Sequence, residues 1–286
     1  MLPLFLRVGI LLIIATLYAV FDVFNKRNVP NAFVYVTTLI AVIVTLTYDV
    51  STIEMSALFA IAIGALGYVV YRTGFLGAGD VFEFAAISMI FPFQPNPILI
   101  NSIQSTIPFI VSVFIVTGYV SALLIVVYYL LISKKTQLEK NFRLGSQKVV
   151  MAGVLLAAYA ALGVLLKMTI GVTPYAAVLL LIIAIPSAIV VMYEKLINMR
   201  MVSLEYIKTL EEGDMIAVNL MDKKDVQYFK KQSKSFGRLV TRKLISDTRN
   251  VRKKVPVYRN SAPLALFVLI GIVVALLFGN VIFLLV

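Results

Sequence analysis

Asp22, in Phe21-Asp22-Val23-Phe24, closes the first apolar stretch of the chain, and Asp80, in Gly77-Ala78-Gly79-Asp80-Val81, opens a later one. An ionisable side chain at or inside a bilayer boundary is costly to keep, so it points to chemistry before packing. Two carboxylates are also the minimum equipment for hydrolysing an amide without metal, imidazole or thiol. One takes a proton from water and the other gives one to the carbonyl oxygen. Each aspartate has an ordinary structural use as well. Asp80 suits the first turn of a helix, where the dipole favours an acid, and Asp22 can pair with Lys26 four residues on. That both occur, with these flanks, favours the chemical reading.

The chain has no histidine and no cysteine. A Ser-His-Asp triad, a Cys-His pair, an H-E-x-x-H zinc site and a structural Cys/His zinc site are therefore all excluded. Acid–base work is left to Asp, Glu, Lys or Tyr. Neither a metal nor any other cofactor is expected.

The elements that must position the pair are membrane helices. The 286-residue chain is 61% hydrophobic and only 14% charged, which places it among polytopic membrane proteins. A crossing helix needs about 20 apolar residues. Eight segments approach this: 2–24, 30–48, 55–72, 80–93, 107–132, 149–169, 173–194 and 263–285. The first carries Arg7 and Asp22 and has no small-residue cleavage site, so it is expected to remain as a helix.

The connections alternate in charge. Lys26 and Arg27 follow the first segment, Arg72 the third, Lys134 to Lys148 the fifth, and sixteen Lys or Arg lie between 195 and 259. All but Arg7 and Lys167 of the 26 basic residues thus fall on one side. The positive-inside rule makes that side cytoplasmic, with both termini outside, and it accounts for the net charge of +12. Segment 80–93 is short, but without its crossing Lys134 and Lys135 would be delivered outside. Asp22 and Asp80 then stand at the cytoplasmic ends of the first and fourth segments, remote in sequence and at one depth.

Gly77 and Gly79 immediately precede Asp80. Small neighbours leave room for another backbone to approach, as an extended peptide would need. Two stretches carry a family resemblance. Asp22-Val23-Phe24-Asn25-Lys26-Arg27-Asn28-Val29-Pro30-Asn31 and Gly77-Ala78-Gly79-Asp80 resemble the aspartate motifs of archaeal type IV prepilin and preflagellin peptidases, which are G-x-G-D membrane aspartyl proteases. Phe82 stands where that family often has Lys. Glu212-Gly213-Asp214 and the closing segment from Pro263 to Asn280 resemble a long subtype with an extra soluble region.

The resemblance implies that Asp22 and Asp80 are the catalytic pair and share one proton, since like charges in contact cannot both ionise cheaply. It implies cleavage of short basic leaders (class III signal peptides) from prepilin or prearchaellin precursors at the cytoplasmic face. Gly77 and Gly79 are the supporting motif. Glu83, one turn beyond Asp80, is a candidate contact for the basic leader, with a first-turn dipole role or a solvent-facing position as alternatives. No S-adenosylmethionine motif is visible, so N-methylation is not expected.

The expected fold is an all-α polytopic membrane protein of about eight transmembrane helices, with a small cytoplasmic α/β insertion before the last helix. Residues 1–195 form the peptidase core, 196–262 a basic cytoplasmic region and 263–286 the final helix. In the basic region Glu211 to Asp214 reads as a turn, Met215 to Leu220 as a strand, and Lys224–Phe236 and Arg238–Arg249 as two helices punctuated by Gly237. Its basic faces suit anionic lipid. Nucleic acid is not an expected partner, because stacking aromatics are few.

Two other readings use the same aspartates. A presenilin or signal-peptide-peptidase type of intramembrane protease also has G-x-G-D, and Pro263-Leu264 resembles part of that group's P-A-L motif. Against it, the aspartates here sit at helix mouths with two segments between them. An ion- or proton-coupled transporter would use buried carboxylates, but no internal repeat is seen and the pair lies at one face.

Overall fold

The computed structural model describes residues 2–25, 29–72, 76–99, 107–132, 143–169, 174–233, 235–249, 251, 253–258 and 262–279. The chain order is α1 (Leu4–Phe24), α2 (Asn31–Thr45), α3 (Val50–Arg72), α4 (Ala78–Ile90), α5 (Phe109–Val126), α6 (Ser146–Thr169), α7 (Pro174–Met201), β1 (Val202–Tyr206), α8 (Lys223–Gln232), α9 (Arg242–Asp247), β2 (Lys254–Tyr258) and α10 (Leu264–Phe278). α5 runs on through a π-helical turn, Val127–Ile132. Each of the eight apolar segments contains a helix. Among the described residues five stretches are long and apolar enough to cross a membrane: Leu4–Phe24, Val50–Arg72, Phe109–Leu131, Ser146–Thr169 and Leu180–Met201. The chain is a mostly helical, multi-pass membrane protein.

Proline marks where several of these helices begin. Pro3, Pro30, Pro108 and Pro263 occupy the N-cap positions of α1, α2, α5 and α10. A proline there gives up no backbone N–H that the helix needs. It also brings no side-chain acceptor, and none of the four caps makes a side-chain hydrogen bond. The free N–H groups of the first turn must therefore find partners elsewhere.

The apolar core joins α1, α2, α4, α5 and α10 through Leu11, Tyr18, Val34, Ile87, Val113 and Ile272, among others. α10 packs on both α5 and α1, although it closes the described chain. Its approach to α5 depends on Gly271, where an added Cβ would stand 3.1 Å from the Val113 carbonyl and closer still to the Thr117 hydroxyl. α3 packs on α4 and leaves Ile61 and Leu66 exposed, as a helix facing acyl chains would.

α4 has 13 residues, about 20 Å at the usual rise and short of the hydrocarbon thickness. Its shortness is tolerable because it lies inside the bundle, with Phe84, Ala86, Ile87, Ser88 and Ile90 buried. Its last carbonyls are met by protein. The Thr45 hydroxyl donates to the Met89 carbonyl at 3.0 Å, and the Tyr48 hydroxyl donates to that of Ile90.

Beyond α7 a second core forms around Ile207, Ile216, Phe229, Val240, Leu244 and Val257. Sequence patterning is corrected here. The strands are Val202–Tyr206 and Lys254–Tyr258, antiparallel, with Leu204 opposite Pro256. The run from Met215 makes only isolated bridges, to Leu239 and Val257, and passes into a 3-10 turn at Val218–Leu220. The two helices are shorter than patterning suggests, ending at Gln232 and beginning at Arg242. The turn at 211–214 is present, with Gly213 at φ 98°.

Candidate active site

Asp22 lies in the last turn of α1, beside the negative end of that helix, which disfavours a carboxylate. It is nonetheless buried, at 7% exposure. The compensation comes from another helix: Oδ2 accepts the backbone N–H of Ala265, in the first turn of α10, at 3.1 Å. α10 has Pro263 as its N-cap and no side-chain cap of its own. Asp22 therefore serves as that cap across 243 positions of sequence.

Asp80 occupies the third position of α4, where the helix dipole favours its charge. Its Oδ2 accepts the Gly77 N–H at 2.9 Å. The ordinary structural role open to Asp80 in the sequence is thus realised. The Lys26 partner suggested for Asp22 lies outside the described residues. The two aspartates come within electrostatic range of one another.

Gly77 and Gly79 contribute differently. Gly77 adopts φ −74° and ψ 155°, an ordinary extended conformation, and its N–H is what Asp80 holds. Gly79 is a close approach: an added Cβ would stand 3.2 Å from the Val29 side chain, in the segment that leads into α2. The glycine therefore lets the first turn of α4 settle against residue 29.

Glu83 is the surprise of the site. It is 1% exposed, so the solvent-facing alternative does not hold. Among the described residues neither carboxyl oxygen meets a hydrogen-bond partner. It lies within electrostatic range of Asp80 and Asp22. Tyr18, also fully buried, sits in the field of Glu83 and Asp80 and shares a 3.1 Å hydrogen bond with Thr37. Sequence reading missed Tyr18, whose spacing matches an ordinary core position, and it missed the Ala265 N–H. Among the described residues no group of three or more acidic side chains is arranged to hold a metal ion.

This arrangement coincides with a family match. Residues 9–133, the part that contains both aspartates, match the model of the type IV leader peptidase family. This stretch, somewhat under half of the chain, is similar to type IV leader peptidases, and that likeness supports a leader peptidase-like protease in a multi-pass membrane protein. The family implies pilin-like precursors as substrates, and it favours this reading over the presenilin-type and transporter alternatives. No curated protein and no solved structure matches the chain. α10, which supplies the Ala265 N–H, lies outside the matched residues.

The Gly79–Val29 approach yields a rescue experiment. Gly79→Ala is expected to lower peptidase kcat/KM roughly tenfold, because small displacements of reacting groups are costly. Adding Val29→Gly removes the Val29 Cβ, the nearest atom, as well as its methyls, and is expected to restore most of the loss. Failure of the double variant to recover, with folded protein intact, would show that the close approach is not what the glycine serves.

Proposed function

We propose that the chain is a membrane aspartyl endopeptidase that removes the short basic leader from type IV pilin-like or archaellin precursors at the cytoplasmic face. The observation that supports this reading is that Asp22 and Asp80, on two different helices of the family segment, lie within electrostatic range of one another. The resemblance of both aspartate stretches to the archaeal peptidases, and of the C-terminal part to their long subtype, supports it.

In the proposed reaction the pair shares one proton. The ionised carboxylate takes a proton from water as the water oxygen bonds to the scissile carbonyl carbon. The protonated carboxyl donates to the carbonyl oxygen. Collapse of the tetrahedral species breaks the C–N bond, and the amine leaves with a proton. No cofactor enters this scheme. Gly77 and Gly79 act on Asp80 indirectly: the Gly77 N–H holds its carboxyl, and Gly79 lets the first turn of α4 settle against Val29. The leader's basic segment lies in the cytoplasm and its apolar helix in the bilayer, so the cut falls where the two aspartates stand. The basic region 196–262 rests on anionic lipid at the same face.

Asp22→Asn and Asp80→Asn are each expected to lower cleavage of a purified prepilin-like substrate in detergent by at least a thousandfold. Cleavage that survived either substitution would remove the dyad. Glu83 is a candidate contact for the leader: its buried carboxyl lies beside the pair and meets no hydrogen-bond partner among the described residues, so a substrate cation close to the cut would give it one. Glu83→Gln should therefore reduce kcat/KM roughly tenfold on basic leaders and leave neutral leaders nearly unaffected. Equal loss on both would argue against a role in recognition.

Orientation can be read from single cysteines, because the chain has none of its own. Lys231→Cys should react with a membrane-impermeant thiol reagent only from the cytoplasmic side, and Asn96→Cys only from the outside. Reaction of both from one side would overturn the topology.

A further inference from the structure

α10 sits outside the family match, and its two ends are both bonded to the matched segment or to residues inside it. At the N-terminus Asp22 accepts the Ala265 N–H. At the C-terminus the Gln94 side-chain amide donates to the Ala275 carbonyl at 2.9 Å. The Ile98 and Leu99 N–H groups donate to the carbonyls of Leu276 and Leu277 at 3.1 and 3.0 Å. Between these ends Gly271 seats the helix against Val113 and Thr117 of α5. The final turns of a helix leave carbonyls, and the first turns leave N–H groups, that need outside partners in an apolar medium. For α10 residues 22, 94, 98 and 99 supply partners at both ends.

We propose that α10 is a working part of the peptidase core, and that the Ala265 backbone N–H is a positioning group that holds the Asp22 carboxylate in place for reaction with Asp80. The inference rests on the reading of Asp22 as catalytic. Three observations bear on it. Asp22 ends a helix whose dipole works against a carboxylate, and the donor it meets at 3.1 Å comes from another helix. The donor comes from the positive end of α10, where the N–H groups have no intrahelical use. Pro263 leaves that end without a side-chain cap, so α10 and Asp22 complete one another. The active site is then a composite of an N-terminal family segment and a helix from the far end of the chain.

The test deletes one N–H in the full-length protein. Ala265→Pro removes the donor within the first helical turn, where proline is tolerated. Leu264→Pro is the control, since it places a proline at the first helical position without touching the bonded N–H. Loss of the donor lets the reacting carboxylate drift from its position, so kcat should fall roughly ten- to hundredfold in Ala265→Pro. KM should stay within about twofold and Leu264→Pro near wild type, since only the orientation of the reacting carboxylate is lost. Wild-type kcat in Ala265→Pro, or equal loss in both variants, overturns the proposal.

A second measurement does not depend on activity. In thermal unfolding, Ala265→Pro should lower Tm in the wild-type background but add little to Asp22→Ala, because the bond is already gone. Additive losses overturn the contact itself. Coupling in Tm without any cleavage by the wild type would instead remove the functional reading and leave the contact standing. If the proline variant does not fold, lactic acid in place of Ala265 exchanges the N–H for an ester oxygen without a ring, and the same two readouts decide.

Discussion

A carboxylate at the wrong end of its own helix is the constraint around which this protein is arranged. Asp22 terminates α1, where the peptide dipoles present their negative end and no N–H group is free. Buried there alone it would be expensive. The first turn of α10 offers the opposite: positive dipole, free N–H groups, and a proline in place of a polar cap. Bringing the two ends together satisfies both, and the geometry of the bundle follows. α10 must lie against α1, and it can then lie against α5 only because Gly271 presents no side chain.

α4 shows a related solution for a helix too short to cross unaided. Its first turn is held by Asp80 on Gly77, and its last carbonyls by hydroxyls from α2 and the Tyr48 side chain beyond it. Because α4 is enclosed by its neighbours, neither end has to reach the headgroups. That enclosure places Asp80 near Asp22, and it also buries Glu83, one turn along, without a partner among the described residues. A carboxyl in that condition is poorly explained by stability, since an ordinary apolar residue would fill the same place at lower cost.

The parts of this arrangement legible from residues alone were those in which side-chain chemistry conflicts with its surroundings. Asp22 and Asp80 stand out because each interrupts an apolar run, and the eight apolar segments stand out by their length. The Ala265 N–H has no such signature, because every residue but proline carries one; only the uncapped Pro263 hints at it. β2 was obscured by Pro256, which reads against a strand, yet in a two-stranded sheet its missing N–H costs little and its carbonyl accepts from Ala217. β1 was obscured by its direct continuation from α7. The burial of Glu83 depends on which helices enclose α4, and spacing within one helix does not contain that information.

Order of synthesis gives the seat of α10 a further meaning. The family segment emerges from the ribosome first, but the partner for Asp22 is made more than two hundred residues later. Until then the nascent bundle lacks a wall and Asp22 lacks the Ala265 N–H. On the proposed role of α10, a chain stalled or clipped before that helix would hold both acidic residues and still lack the Ala265 N–H, so competence to hydrolyse would arrive only with α10 inserted.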